Sequence, residues 1–199
     1  MQLYYAAASP FARKVRVLVR EKGLQARVDE ILVNPFANPE DLHAVNPLGK
    51  IPALLLSDGT ALFDSPVICE YLDTISGAPR LLPKEGEKRW QVLCMQALAD
   101  GIMDSAVAMI YESRRPETLR STEWQQRRQQ SILRSIRVLD DDSSLLSGAV
   151  NIGSIAVACA LGYLDFRLPD IDWRQDHPQV ATVYAGLSNL PGMQATPPG

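Results

Sequence analysis

The sequence Ile51-Pro52-Ala53-Leu54-Leu55-Leu56-Ser57-Asp58-Gly59-Thr60-Ala61-Leu62-Phe63 decides the fold of the first part of the chain. Two apolar runs flank Asp58-Gly59, a pair typical of tight turns, so the segment predicts a two-stranded hairpin. Ser65 and Pro66 follow, and we expect them at the N-cap and the first position of a helix. The apolar stripe of this helix reaches almost to Gly77 and comprises Val67, Ile68, Tyr71, Leu72 and Ile75.

Upstream of the hairpin, short apolar runs alternate with helical patterns. Residues 3–6 and 28–33 are predicted strands. A helix is predicted between them, beginning after Ser9-Pro10 and ending at Gly23. A short helix over 39–45 precedes the hairpin. The order β-α-β-α-β-β-α predicts a mixed sheet covered by helices.

Beyond residue 78 the strand patterns stop. Residues 79–86 form a connector rich in proline and charge, and the remainder has helical patterns. The predicted helices are Glu87 to Ser113, Glu117 to Leu139, Ser154 to Leu164 and Gln179 to Leu190. We therefore expect an α/β domain over 1–78, a linker over 79–86 and an all-helical domain over 87–199.

The composition is that of an ordinary soluble globular protein. Charged residues make up 22% of the 199 residues and the net charge is −3, which argues against a disordered chain and a strongly basic nucleic-acid binder. The second half does contain Arg120, Arg127, Arg128, Arg134 and Arg137. Aspartates at 140, 141 and 142 adjoin them, so we expect a solvated helix face and no nucleic-acid partner.

Cysteine and histidine usage argues against disulfides and structural metal. Cys69, Cys94 and Cys159 are odd in number, far apart and without Cys-x-x-Cys spacing, while His43 and His177 are distant from each other. No apolar stretch approaches the ~18 residues that a membrane span needs. We expect a cytoplasmic protein without a metal or a membrane segment.

Two predicted helix starts share one design. Ser9-Pro10 and Ser65-Pro66 each place a hydroxyl at the start of a helix whose first backbone N–H groups have no partner within the helix. Such an end can bind an anion, because the N–H groups and the helix dipole favour negative charge. Simple capping by serine is the alternative.

Three segments, in this order, resemble the glutathione S-transferases. They are Ser9-Pro10-Phe11-Ala12-Arg13-Lys14-Val15-Arg16, Asn46-Pro47-Leu48-Gly49-Lys50-Ile51-Pro52-Ala53-Leu54 and Asp64-Ser65-Pro66-Val67-Ile68-Cys69-Glu70-Tyr71-Leu72. The resemblance covers essentially the whole chain and ends in a similar tail over 190–196. It implies a thioredoxin-like first domain with a mixed four-stranded sheet, an all-helical second domain, and a homodimer, as is usual in that family.

The resemblance is to cytosolic, bacterial-like members with serine at the thiol-activating position, and it implies glutathione as co-substrate. Ser9 would then hold the glutathione sulfur as a thiolate. A thiol has a pKa near 8.5, and lowering it by about two units requires ~2.7 kcal/mol of preferential thiolate stabilisation. Tyr4 and Tyr5 are competing phenols, because other classes use a tyrosine near the end of the first strand. We interpret both mainly as packing residues, with Tyr5 as the remaining alternative to Ser9.

The remaining glutathione contacts implied by the resemblance are Phe11, Lys50, Ile51, Pro52, Asp64, Ser65 and Asp100. A cis bond before Pro52 exposes the Ile51 backbone, which would pair with the cysteinyl unit as an added strand does. Lys50 would reach the glycyl carboxylate or remain a solvated loop lysine. The Ser65 hydroxyl and nearby N–H groups would bind the γ-glutamyl carboxylate.

Two acidic residues complete these assignments. Asp64 would bind the glutathione ammonium group, although many members of the family have Glu at its place. Asp100 resembles an acidic residue that some members extend to the glutathione of the partner subunit. A capping or solvent role is the alternative for Asp100.

The electrophilic substrate would contact one face of the predicted helix over 87–113. The candidate residues there are Met103, Val107, Tyr111 and Arg114. A stripe of this kind is more often core, so only part of it can line a pocket. Arg114 and the adjacent Arg115 would favour an anionic co-substrate, with solvated arginines at a helix end as the alternative.

The leading hypothesis is a transferase that conjugates glutathione to electrophilic small molecules, a detoxification chemistry that needs no metal. The alternative is a glutathione-binding or assembly module that keeps the fold without turnover. A thiol-disulfide enzyme of this fold would need cysteine where Ser9 stands. One departure from the family concerns the helix predicted at Ser154: Val157 occupies the acidic place of its usual cap, so we expect the reciprocal cap to be missing.

Overall fold

The computed structural model describes residues 1–77, 79–142, 146 and 148–199. They form two units, one made of Met1–Lys84 and Asn189–Gly199, the other of Glu85–Ser188. Ala78, the last residue of the predicted first domain, lies outside the described residues. The predicted linker is divided between the units, and residues 189–199, which the sequence analysis placed in the helical domain, belong to the first unit.

The first unit is built on a mixed four-stranded sheet. Its strands are β1 (Gln2–Tyr5), β2 (Asp29–Leu32), β3 (Ala53–Leu55) and β4 (Ala61–Leu62), in the order β2-β1-β3-β4. β1 is parallel to β2 and antiparallel to β3, and β3 is antiparallel to β4. The hairpin around Asp58-Gly59 is present as predicted: Asp58 Oδ1 accepts from the Thr60 N–H at 2.9 Å.

Helices cover both faces of this sheet. They are α1 (Pro10–Glu21), α2 (Glu40–Val45) and α3 (Ser65–Ile75), with a 3-10 turn at Pro35–Ala37. Tyr4 and Ala53 are buried with Leu42, which places α2 on one face. Successive side chains of a strand point to opposite faces, so Leu3 and Leu54, both fully buried, point to the other face. There α1 and α3 pack against each other, and α3 contacts β3.

The C-terminal tail belongs to the first unit because it packs on α1. Its short helix α9 (Pro191–Gln194) lies against α1. The Gly192 N–H donates to Glu21 Oε1 at 2.7 Å, and Arg13 Nη2 donates to the Met193 carbonyl at 3.3 Å. These bonds are the physical reason why the predicted boundary of the helical domain differs from the observed one.

A buried ion pair fixes the end of α3 to the residues that follow it. Asp73 is fully buried and accepts from the N–H groups of Leu81 at 2.8 Å and Leu82 at 3.1 Å. Lys22 Nζ lies 3.1 Å from Asp73 Oδ1 and donates to the Gly77 carbonyl at 2.9 Å. The start of the connector is therefore held by charge-assisted hydrogen bonds.

The second unit is helical in its described residues. It contains α4 (Glu87–Ser113), α5 (Thr122–Asp141), α6 (Ile152–Arg167), α7 (Trp173–Asp176) and α8 (Pro178–Leu187), with a 3-10 turn at Glu117–Leu119. The predicted helix over 117–139 is thus divided, because Ser121 caps a new helix by accepting from the Trp124 N–H at 3.2 Å. Residues 152–164 of α6 are all buried, and α4 packs against α6 and α5.

The expectation of a missing cap at the α6 helix is wrong. The N-cap is Asn151, three residues before Ser154. Asn151 Oδ1 accepts from the Ser154 N–H at 3.0 Å, and the Asn151 N–H donates to Ser154 Oγ at 3.0 Å. This reciprocal capping box works without an acidic residue, since the hydroxyl of Ser154 supplies the second acceptor.

One helix corrects the expectation that no apolar stretch approaches the length of a membrane span. α4 is long and apolar enough to cross a membrane by length and composition alone. The core helix of a globular unit passes the same test, and α4 does pack against α6 and α5. The length and composition of α4 are therefore weak evidence that it spans a membrane.

Candidate functional site

Ser9 is the N-cap of α1, as predicted. Its backbone is extended, with φ −84° and ψ 119°, and its Oγ accepts from the Ala12 N–H at 3.2 Å. A hydroxyl both accepts and donates, so the O–H hydrogen of Ser9 stays available while its oxygen caps the helix. Capping and donation to a ligand are therefore compatible at this residue.

The first turn of α1 presents one further donor. Pro10 has no N–H, and the Ala12 N–H is bound by Ser9. Within the described part of the chain, the Phe11 N–H has no hydrogen-bond partner. This free N–H lies at the positive end of a 12-residue helix and can bind a negatively charged or carbonyl oxygen.

The two tyrosines of β1 have separate packing roles. Tyr4 is 8% exposed and belongs to the cluster beneath α2. Tyr5 lies under the Arg16 guanidinium, whose carbon is 4.2 Å from the ring centroid, and Arg16 Nε in turn donates to Glu30 at 2.8 Å. Both contacts fit the interpretation of these rings as packing residues.

The loop before β3 is held by a buried amide. Asn46 is 1% exposed; its Oδ1 accepts from the Leu48 N–H at 3.0 Å and its Nδ2 donates to the Lys50 carbonyl at 2.8 Å. The Ile51–Pro52 bond is cis, as the resemblance implied. Among the described residues, the Ile51 N–H and carbonyl have no backbone partner, and the Lys50 side chain is exposed. The loop therefore presents the Ile51 backbone as a free pairing edge.

His43 lies against this loop from α2. A Cβ atom on Gly49, whose φ is +61°, would be 3.1 Å from His43 Nε2. Glycine at this position therefore permits both the left-handed backbone conformation and the close approach of the His43 imidazole. The histidine supports the outer side of the loop.

The start of α3 differs by one residue from the prediction. Asp64 is the N-cap and Ser65 the first helical residue, since Asp64 has extended backbone angles and its carbonyl accepts from the Ile68 N–H at 3.1 Å. The Asp64 side chain is exposed and makes no capping bond, whereas Ser65 is 1% exposed. Pro66 has no N–H, so the Ser65 and Val67 N–H groups are the donors at this helix end. A free carboxylate therefore adjoins a positive helix end.

The strand register brings these three segments to one edge of the sheet. Tyr4 pairs with Ala53, and Leu54 pairs with Leu62. Continuing both registers by two residues places Ala6, just past β1, beside Ile51 and Asp64, just past β4, beside Pro52. Neighbouring strands lie about 4.8 Å apart, so the span from β1 to β4 is roughly 10 Å, the reach of three extended residues.

The predicted electrophile residues lie on α4 of the second unit, at graded exposure. Met103 is fully buried, Val107 is half-buried, Tyr111 is 49% exposed and Arg114 is exposed at the C-cap. Met103 is therefore core, and the outer part of the stripe is accessible. Asp100 is half-buried in the middle of α4, so it does not cap this helix.

Sequence reasoning missed a second pair of residues next to this stripe. Tyr163 on α6 is 5% exposed, and burial raises the pKa of its phenol; the Arg167 and Arg114 charges oppose this rise and the Tyr111 phenol adds to it. The Tyr163 phenol therefore responds to charged groups of α4 as well as of α6. The available signal was the Tyr-x-x-x-Arg spacing at the end of a predicted helix, which puts both on one helix face.

Within the part of the chain that is described, no group of three or more His, Cys, Asp or Glu side chains is placed to hold a metal ion. No disulfide joins Cys69, Cys94 or Cys159; Cys69 and Cys159 are buried and Cys94 is exposed.

Comparison with known proteins gives the same picture. A family model described as the N-terminal domain of glutathione S-transferase matches residues 8–75, and one described as the C-terminal domain matches residues 122–186. The chain is 35% identical over 202 residues to an uncharacterized GST-like protein, YibF, of Escherichia coli K12, covering 100% of this chain and 98% of YibF.

Two solved structures share the whole fold. A glutathione transferase family member of Pseudomonas fluorescens Pf-5 with bound glutathione has a TM-score of 0.96 at 44% identity, covering 100% of this chain and 98% of the other. A structure from the same source with bound S-(propanoic acid)-glutathione has a TM-score of 0.92 at 44% identity, covering 100% of both chains. The predicted fold class, a thioredoxin-like domain followed by a helical one, is confirmed.

Proposed function

Because the chain belongs to the glutathione S-transferase family, we propose that it binds glutathione, stabilises its thiolate and conjugates it to electrophilic small molecules. The observation that carries the proposal is the sheet edge that brings together the N-terminus of α1, the free Ile51 backbone and the N-terminus of α3. Glutathione-bound relatives at 44% identity support this ligand.

Each part of glutathione has a matching group at this edge. The Ile51 N–H and carbonyl would pair with the cysteinyl unit in the manner of an added strand. The N–H groups of Ser65 and Val67 would bind the γ-glutamyl carboxylate, and Asp64 its ammonium group. Lys50 would approach the glycyl carboxylate. One backbone N–H site, one carboxylate and one lysine thus meet the three charges of the tripeptide.

Ser9 is the proposed thiolate partner, which makes this a serine-type member of the family. Its hydroxyl hydrogen would be donated to the sulfur, and the Phe11 N–H would add the positive end of α1. Lowering the thiol pKa increases the reactive fraction at neutral pH, and holding both reactants together supplies the remaining acceleration. The thiol proton goes to solvent and the sulfur forms a C–S bond; with an aryl halide the carbon–halogen bond breaks and halide leaves, with no covalent enzyme intermediate.

Conjugation of a generic aryl halide by the full chain tests this proposal. We expect Ser9→Ala to lose most turnover while its glutathione affinity stays within about tenfold, because one hydrogen bond to a charged group contributes roughly 1.5–3 kcal/mol. Ser121→Ala is the matched control, since Ser121 also caps a helix through a 3.2 Å bond from its third N–H. Asp64→Ala should weaken glutathione binding.

Each outcome of this experiment has a defined meaning. Full turnover by Ser9→Ala would indicate that Tyr5 or backbone groups, and not Ser9, stabilise the thiolate. Wild-type protein that binds glutathione without conjugating any electrophile would favour the binding or assembly module. Calorimetry with no heat on mixing with glutathione would refute both. A homodimer, a cytoplasmic location and a role in detoxification remain predictions from the family.

A further inference from the structure

The tail of residues 191–199 follows α1 and reaches the turn that holds Ser9. We propose that this tail fixes the position of Ser9, and that Arg13 is the positioning residue through which it acts. The inference rests on the proposed function, since it concerns the hydroxyl assigned to the thiolate. The competing explanation is that Arg13 and the tail contribute to folding stability alone.

Two hydrogen bonds give the direction in which the tail follows α1. The Gly192 N–H donates to Oε1 of Glu21, the last residue of the helix, at 2.7 Å. Arg13 Nη2 donates to the Met193 carbonyl at 3.3 Å, and Arg13 lies about two turns closer to the start of the helix than Glu21 does. Higher residue numbers in the tail thus meet lower residue numbers in α1, so the tail runs antiparallel to the helix and towards Ser9.

Beyond α9 the tail continues to the turn that precedes α1. Thr196 is 1% exposed, and its Oγ1 donates to the Gly192 carbonyl at 2.7 Å, which fixes the chain as it leaves α9. A Cβ atom on Gly199 would lie 3.8 Å from the Ala7 Cβ, an ordinary van der Waals distance. The tail therefore contacts the turn over residues 6–9 as well as α1.

The segments that the tail contacts hold Ser9 on both sides. The Ser9 N–H donates to the Ala6 carbonyl at 3.0 Å, which closes the turn containing Ala7. The Ser9 carbonyl accepts from the Arg13 N–H at 2.9 Å. Arg13 thus binds the Ser9 backbone through its own N–H and the tail through its guanidinium group. A displacement of the tail would therefore be transmitted to Ser9 both through Ala7 and through Arg13.

The environment of Arg13 argues for a role beyond packing. Arg13 is 7% exposed, and its Nε is buried without a hydrogen-bond partner among the described residues. Burial of a guanidinium group is unfavourable, all the more when one of its N–H groups has no acceptor. An apolar side chain would fill the same space without this penalty. The bond to the tail therefore explains a cation at this position better than packing does.

The position of the Ser9 hydroxyl matters because of the charge that it would stabilise. A hydrogen bond weakens steeply when its donor tilts away from the acceptor, and a displacement of about 1 Å can reduce a rate by roughly a hundredfold. Fixing the Ser9 backbone on both sides would keep the O–H directed at the sulfur, while other groups bind the rest of the tripeptide. Loss of the tail contacts should thus lower reactivity more than affinity.

Four variants of the full chain test the inference. Arg13→Met removes the guanidinium group and keeps an apolar side chain, whereas Arg13→Lys keeps a cationic donor. Thr196→Val removes the hydroxyl bond of the tail without a change of charge. Lys22→Met is the matched control, because it removes another buried cation at the opposite end of α1.

Three quantities are measured for each variant. Titration of the ultraviolet absorbance of the thiolate in the glutathione complex gives the pKa of the bound thiol. Turnover of a generic aryl halide at saturating glutathione gives kcat, and calorimetry gives the Kd for glutathione. The pKa of the bound thiol reports on the donor at the sulfur, so a role in folding stability alone would leave it unchanged.

We expect Arg13→Met to raise the pKa of the bound thiol and to lower kcat about tenfold, while the Kd for glutathione changes by less than about threefold. Thr196→Val should change the thiol pKa and kcat in the same directions by smaller amounts. Arg13→Lys should recover part of the loss, because an ammonium group can still donate to the Met193 carbonyl. Lys22→Met should destabilise the protein and leave the pKa of the bound thiol unchanged.

The possible outcomes distinguish the inference from its competitors. An unchanged thiol pKa and kcat in Arg13→Met would overturn the inference and leave Arg13 as a structural residue. A shift in Arg13→Met without any shift in Thr196→Val would overturn the role of the tail, because Arg13 would then act through its charge. An equal shift in Lys22→Met would attribute the effect to general destabilisation.

Two further points keep the test decisive. Thr196→Val changes the shape of the side chain little, so it tests the tail even if Arg13→Met does not fold. Failure of the proposed function is seen in the wild-type protein itself. Wild-type protein that binds no glutathione, or that binds it without lowering the pKa of its thiol, would refute that function, whereas the variants test the tail alone.

Discussion

Gly192 lies so close to Val17 that a Cβ atom on Gly192 would be 2.7 Å from the Val17 carbonyl oxygen. The same Cβ would lie 2.9 Å from Glu21 Oε1, which already accepts from the Gly192 N–H at 2.7 Å. The contact atoms on α1 are mainly backbone, so they cannot rotate away. The packing of α9 on α1 therefore requires glycine at this position.

Gly192→Ala should lower the free energy of unfolding by about 1–3 kcal/mol, because α9 must move away from α1. Urea denaturation followed by circular dichroism measures this. Gly186→Ala is the matched control: Gly186 lies within α8, and its Cβ would have no atom within 4 Å. That change should stabilise the protein by up to about 1 kcal/mol. Equal effects of the two substitutions would contradict the close contact.

Asn46→Ala should weaken glutathione binding by about tenfold and destabilise the fold by roughly 2 kcal/mol, since it leaves the Lys50 carbonyl and the Leu48 N–H without their partner. Calorimetry and denaturation measure the two effects. Asn34→Ala is the control, because the side chain of exposed Asn34 accepts the corresponding bond from the Phe36 N–H at 3.1 Å. Unchanged affinity in Asn46→Ala would show that the loop keeps its shape without the amide.

Glu30 gives the fold a pH-dependent contribution. Burial raises the pKa of the Glu30 carboxyl, but hydrogen bonds from Arg20 at 2.6 Å and Arg16 at 2.8 Å, with their charges, outweigh burial and lower the pKa below its ordinary value of 4.5. A lowered pKa in the folded state stabilises the protein above the ordinary value, and this contribution is lost as the pH falls through the folded-state pKa.

Glu30→Gln should therefore destabilise the protein at neutral pH, by less than about 1 kcal/mol because the pair is partly exposed. The difference from wild type should shrink as the pH falls below 4.5. Denaturation at a series of pH values measures it, with exposed Glu85→Gln as the control. A difference that is constant with pH would rule out the ion pairs as its cause.

Asp73→Leu should lower the free energy of unfolding by about 3–5 kcal/mol, because it leaves Lys22 and the N–H groups of Leu81 and Leu82 without a buried acceptor. Lys22→Met should cost less, since Asp73 keeps two N–H donors. The double variant should lose less than the sum of the two. Thermal and urea denaturation of all three variants measures this order. A larger destabilisation by Lys22→Met than by Asp73→Leu would contradict the prediction.

Local patterns predicted most of the fold. The Asp58-Gly59 turn and the bounds of α4 could be read from the sequence because turn residues and helical spacing act over short distances. The position of Asn151 could not, since asparagine and serine both cap helices and Ile152 continues the apolar pattern. α9 could not be placed either, because a four-residue helix depends on its contacts with α1.

The sequence also predicted only part of the candidate site. The sequence motifs predicted Ser9, Ile51 and Asp64 as site residues, and the sheet register places Ile51 and Asp64 at the same edge. They gave no role to the Asn46 side chain, whose buried amide connects residues on both sides of a turn. Nor did they indicate the environment of Tyr163, because the packing of α6 against α4 joins residues that are far apart in sequence.

The return of residues 189–199 to the first unit makes that unit discontinuous, with consequences during synthesis. When the sheet and α1–α3 have left the ribosome, Arg13 and Glu21 still lack the Met193 carbonyl and the Gly192 N–H. The whole helical unit must be translated before these partners emerge. A nascent chain arrested before residue 189 thus presents an unfinished first unit to chaperones and proteases, although every strand of its sheet is already made.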